Sequence, residues 1–213
     1  MRYAFFALAL SIGVGSLCYG AIYRQGPSIN ASNVNYSAAT GNQLFTVRSY
    51  DDFVSNGQTL TGLAWWGASA GAAADLRNFS GFHIGIYGEN NGRPDVTNVR
   101  YQATVAIASL QIVETGRMTV GGNVEYRFAM SLPSLVLAPG RHWLSVASVL
   151  NTPGSDCFAW NTSEQGNDAN AIFMHSTHAW LLRDSDMAFE LIPGPSTAAL
   201  GLASLVSLRR RRR

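Results

Sequence analysis

Lysine is absent from this 213-residue chain, and all fifteen basic residues are arginine. Charged residues of both signs reach only 13%, about half of the ~25% of an ordinary soluble domain. That scarcity excludes a coiled coil, which needs charged positions flanking its seam. Cysteine is confined to Cys18 and Cys157. Removal of a leader holding Cys18 leaves one thiol, and one thiol closes no internal disulfide, so an apolar core must carry the fold. Proline numbers 7 and glycine 21, too few for a collagen or a low-complexity chain. Long hydrophobic runs are missing as well. The terminal apolar runs, Ala4–Leu17 and Ser196–Leu208, fall short of the roughly 17–25 residues of an ordinary membrane span.

What is present is a hydrophobic fraction of 47% and a mean hydropathy of +0.05, which exclude a disordered polar chain. Five Trp, eight Tyr and ten Phe can fill a sizeable core. Arg2 and Arg209 to Arg213 account for six of the arginines, and the remaining nine face all thirteen acids within residues 21–192, a formal charge of −4. The pI near 8.7 therefore comes from the two ends. No nucleic-acid partner is expected, because such domains carry their basic residues on the folded face.

Met1-Arg2-Tyr3 followed by the apolar run to Leu17, with Cys18 and Gly20 at the −3 and −1 places of a cut before Ala21, reads as a secretory signal peptide over residues 1–20. At the other end come Pro193-Gly194-Pro195, thirteen residues from Ser196 to Leu208, and five arginines. As a helix the thirteen span about 20 Å, against a hydrocarbon core of about 30 Å. Arginine stems can snorkel and the bilayer can thin, so the segment can hold the chain transiently at the inner membrane with Arg209, Arg210, Arg211, Arg212 and Arg213 as the stop. Residues 193–213 resemble the PEP-CTERM sorting signal of exported bacterial proteins: Pro-x-Pro, a short hydrophobic helix, a terminal arginine cluster. The family's usual motif is Pro-Glu-Pro, and Gly194 stands in the Glu place. The resemblance implies recognition by an exosortase, a membrane-embedded peptidase of which this chain would be a substrate. Transfer to the cell surface or extracellular matrix would follow.

Residues 21–43 have little periodicity and read as an N-terminal arm, with at most an edge strand. From 44 to 192 the pattern alternates with a period of two. Val124, Tyr126, Phe128 and Met130 alternate with Glu125, Arg127 and Ala129; Phe82, Ile84 and Ile86 with His83 and Gly85; Met187, Phe189 and Leu191 with Ala188 and Glu190. Turn signals such as Asn90-Asn91-Gly92 and Pro139-Gly140 separate the runs. About nine strands and no helical period predict an all-β, antiparallel two-sheet sandwich of jelly-roll type, with Gly67 to Leu76 as the single candidate helix. Asp51-Asp52-Phe53, Leu60 to Gly67, Phe82 to Tyr87 with Asn90-Asn91-Gly92, Leu137 to Val146 and Asp186 to Leu191 resemble β-sandwich ectodomains joined to PEP-CTERM tails. That likeness implies a fold and a setting, and no ligand.

Chemistry-bearing residues are few. The chain holds no Gly-x-Ser-x-Gly elbow, phosphate loop or dinucleotide fingerprint, so no catalytic residue and no cofactor are expected. His175 and His178, three apart on a strand, would point to opposite faces and lack partners for a zinc set; His83 and His142 read as surface residues and Cys157 as a buried, inert thiol. Asp51 and Asp52, adjacent on a strand, are expected to face apart. Asp184 and Asp186 could join one of them around a structural Ca²⁺ with loop carbonyls. Trp65, Trp66, Trp143, Trp160 and Trp180 could form a platform for sugar rings if exposed, or fill the core if not. The function expected first is an exported, non-enzymatic surface or matrix protein. The alternative is a carbohydrate-binding module for extracellular polysaccharide.

Overall fold

The computed structural model describes residues 23–28, 34–37, 47–70, 76–151, 157–166, 170–174 and 179–194, with the backbone alone at 34–37 and 170–174. Its strands are β1 (Tyr23–Gln25), β2 (Val34–Ser37), β3 (Val47–Ser55), β4 (Thr59–Ala70), β5 (Phe79–Asn90), β6 (Arg93–Ala106) and β7 (Gln111–Met118). They continue as β8 (Val124–Val136), β9 (Gly140–Leu150), β10 (Cys157–Ser163), β11 (Asn170–Met174), β12 (Ala179–Arg183), β13 (Asp186–Met187) and β14 (Phe189–Pro193). The only other regular elements among the described residues are two short 3₁₀ turns, Leu76–Asn78 and Ile107–Ser109.

Two antiparallel sheets pack into a sandwich. One has eight strands, with the path β1-β14-β4-β10-β13, β2 on β10, β8 on β4 and β7 on β8. The other has six, in the order β12-β11-β3-β9-β5-β6. The period of two explains the packing. Phe82, Ile84 and Ile86 of β5 all turn inward, beside Ser148, Val146 and Leu144 of β9. Trp65 lies opposite Phe128 on one side and Phe189 on the other, an aromatic row across three strands. Phe82 of the facing sheet meets Trp65 at 5.3 Å, Phe128 at 5.0 Å and Phe158 at 5.0 Å between ring centroids. Such tilted and edge-on pairs are favourable beyond their area.

The structure departs from the sequence pattern in three places. Strand number is fourteen among the described residues rather than about nine, because short strands such as β1, β2 and β13 carry no readable alternation. The arm supplies β1 and β2, both paired into the larger sheet. The candidate helix begins instead as strand: Gly67 to Ala70 close β4 and pair with β10, while residues 71–75 lie outside the described set. The expected terminal helices also lie outside it, and among the described residues no helix is long and apolar enough to cross a membrane.

Candidate functional site

Two polar places stand out against the apolar core. The first is a carboxylate cluster where β3 meets β13. Asp51, Asp52 and Asp186 each place a carboxylate oxygen within 4.8 Å of the other two, and all three are buried. Asp51 accepts hydrogen bonds from the amide of Met187 at 2.7 Å and from that of Asp52 at 3.0 Å. The Gln25 amide, oriented to satisfy both of its ends, donates to Asp51 at 2.8 Å and accepts from the Tyr23 hydroxyl at 2.5 Å. Arg141 reaches Asp52 at 3.2 Å from a side chain 40% exposed. Gly166 closes the far side with φ +139°, and a Cβ there would lie 2.3 Å from the Asp186 carboxyl.

Burial pushes the Asp51 carboxyl well above the usual carboxylate range; the charges of Asp186 and Asp52 add to this, while the Met187 amide works against it. Burial and then the same three acids raise the Tyr23 hydroxyl. Three crowded carboxylates in low dielectric can share a proton or take a cation. Three side-chain oxygens would be part of the six to eight that Ca²⁺ takes. Of the four acids considered from the sequence, Asp184 is exposed and stays out. Asp51 and Asp52 were expected to face apart, yet their carboxylates converge. Among the described residues the ladder between β3 and β11 ends at the pair Asp51 and Asn170.

The second place is an open pocket of about 520 Å³ on the outer face of the eight-stranded sheet. Trp66 of β4, Arg24 and Pro27 at and after β1, Thr115 and Arg117 of β7 and Gln165 line it. Glu125 of β8 is fully buried within it. Its carboxylate accepts from the Thr115 hydroxyl at 2.7 Å and the Asn161 amide at 2.5 Å, with Arg117 Nε at 3.9 Å. Arg117 also donates to the Ser28 carbonyl. The Arg127 guanidinium lies 5.4 Å from the Trp66 ring centroid and pairs with Glu190 at 3.2 Å. Sequence alternation placed Glu125 on a solvent face. The chain following β1 and the neighbouring β7 and β10 cover that face, and no local signal in the sequence marks this.

The tryptophans do not make an exposed platform. Trp65, Trp143 and Trp160 are fully buried, and Trp66 keeps 5% exposure. Trp160 donates its indole hydrogen to the Ala188 carbonyl at 2.9 Å. Trp143 joins Tyr50 and Tyr87 in a small cluster on the outer face of the six-stranded sheet, with half-buried Trp180 against it. Burial raises the Tyr50 hydroxyl to about 12 despite the charge of Arg48. His142 is buried on β9 and His83 half-buried on β5, not surface residues; Cys157 is half-buried, while His175 and His178 lie outside the described residues.

Of the tail motif, Pro193 ends β14, its carbonyl accepting from the Thr61 hydroxyl at 3.0 Å. Gly194 is buried and donates its amide to the Thr59 carbonyl at 2.9 Å. Pro195 and the arginine cluster Arg209 to Arg213 lie outside the described residues, as does the leader. Comparison with family models, with curated proteins and with solved structures found no match to this chain.

Proposed function

We propose that this chain is an exported, non-enzymatic component of the cell surface or extracellular matrix, held transiently at the inner membrane and released there by an exosortase-type peptidase. The observation that carries the reading is the order of segments: a leader, a body rich in alternating strands, Pro-Gly-Pro, thirteen apolar residues and five arginines. The fold adds support, since the last strand among the described residues ends at Pro193, where the motif starts. The burial of Trp65, Trp143 and Trp160 also favours a scaffold role over a flat sugar-binding face. The test is intact-mass analysis of surface-fraction protein from a host with a matching exosortase and from one lacking it. Mature protein that still ends in Arg213 in the first host would refute the removal step, and an unchanged location after deletion of residues 195–213 would refute sorting.

A second reading, extracellular carbohydrate binding, is favoured by one observation: the open pocket lined by Trp66 with arginine, glutamate and glutamine side chains. It sits at the lower half of the ~300–1,000 Å³ range of small-ligand sites. A polysaccharide pull-down with the purified chain tests it, and failure to retain any glycan would exclude it.

A further inference from the structure

Strand β4 is irregular where it meets the end of β14. Leu60 and Gly62 pair with Pro193 and Ile192 on β14, and with Leu135 and Ser131 on β8, so Thr61 is left out of both ladders. A bulge of this kind re-aims the side chain it frees. Here the Thr61 hydroxyl donates to the Pro193 carbonyl at 3.0 Å. The next amide, that of Gly194, donates to the Thr59 carbonyl at 2.9 Å. Both groups belong to one peptide unit. The Pro193–Gly194 peptide therefore has its oxygen and its hydrogen bonded to β4, and Gly194 is buried.

The seat is cut to a residue without a side chain. A Cβ at position 194 would lie 2.9 Å from the Thr61 Cγ2, well inside the ~3.5–4.0 Å at which two carbons rest. The glutamate usual at this place of the Pro-Glu-Pro motif would bring the same Cβ, so Gly194 is what lets the motif lie against β4. An extended peptide is recognised through free main-chain donors and acceptors, and the seated unit has none to offer until Thr59 and Thr61 release it. Resting on the sorting reading, we infer that the sandwich shields the head of the motif and that the processing cut falls on the C-terminal side of Gly194. Overall, the C–N bond of a peptide beyond the seat breaks. Water supplies hydroxyl to the acyl carbon and a proton to the leaving amine, which departs with the arginine cluster. Pro193 and Gly194 stay on the mature protein.

Two measurements test this. The first is amide exchange by NMR on the uniformly ¹⁵N-labelled full chain in mild detergent, with thermal melting to verify that each variant folds. The Gly194 amide should exchange at least tenfold more slowly than an open-chain amide. Thr61→Val, which removes the hydroxyl and keeps the shape, should speed it by about fivefold, the worth of one net hydrogen bond. Gly194→Ala should open the seat, and adding Thr61→Ser, which drops the methyl and keeps the hydroxyl, should close it again. Open-chain exchange in the wild type, or an unchanged rate in Thr61→Val, would overturn the shielding. The second is the C-terminus of mature protein from a host with a matching exosortase, read by intact mass. An end at Gly194 or beyond is expected. An end at Pro193 or earlier would overturn the inference and leave sorting in place. An end at Arg213 would refute the processing reading and the cut with it, while the exchange rates would still decide whether the seat holds.

Discussion

The carboxyl of Asp51 is held above the usual carboxylate range first by burial and then by Asp186 and Asp52, and this fixes how the cluster answers to pH. A carboxyl with a raised folded pKa binds more protons in the folded state. Its contribution to stability is therefore full below about 3.9, its unfolded value, and is lost as pH rises through the folded one. Urea melts between neutral pH and pH 5 should show Asp51 favouring the fold on acidification, unlike an ion-paired acid. Asp186→Asn removes one of the two charges that raise it, so the Asp51 carboxyl should titrate lower in that variant. A carbon-detected NMR titration reads this directly, and an unchanged midpoint would mean burial alone sets it. His83 acts in the opposite sense: burial and then Arg48 lower its pKa. Its contribution weakens as pH falls below about 6.5. At Gly166, φ +139° and the close Asp186 carboxyl leave no room for a Cβ. Gly166→Ala should cost about 1–3 kcal/mol in the same melts.

Strands β8 and β14 show what alternation can and cannot tell. Phe128 and Phe189 read as inward from their period of two, and both are fully buried, flanking Trp65. Phe128→Ala or Phe189→Ala should each cost about 3–5 kcal/mol by denaturant unfolding; losses below about 1 kcal/mol at both would contradict that packing. The same alternation misplaced Glu125, because a strand's sequence does not record what lies across its outer face. It also missed the approach of Asp52 to Asp51: neighbours on a regular strand face apart, and these two carboxylates do not. Asp186 and Asp51 are 135 positions apart in sequence, and the sheet-to-sheet hydrogen bond from the Met187 amide to the Asp51 carboxylate holds β13 against β3. Fold class was thus legible from local periodicity, and Asp51, Asp52 and Asp186 were legible as candidate acids, whereas the convergence of all three and the pocket over Glu125 are made by long-range contacts.

Over the whole molecule, the charge is divided between a net acidic body and a basic C-terminus. The apolar content that fills the sandwich leaves few charges for its surface, so the body should be least soluble near mildly acidic pH, where its acids begin to neutralise. Solubility of the chain after removal of residues 195–213, measured from pH 4 to pH 10, should show that minimum; a minimum on the basic side of neutrality would mean the body's own charge does not govern association.

Strand β14 lies between β1 and β4, hydrogen-bonded on both sides, and the chain leaves it through Gly194, itself bonded to Thr59. A pull on the C-terminus therefore runs along the strand and loads its ladder bonds together, in shear, rather than opening them one by one. Under the proposed anchoring of the tail, a force between it and the body would be borne by β14 and its two neighbours in the larger sheet. The end proposed for attachment is in this sense a mechanically strong part of the domain, with Thr59 and Thr61 serving as its last stitches.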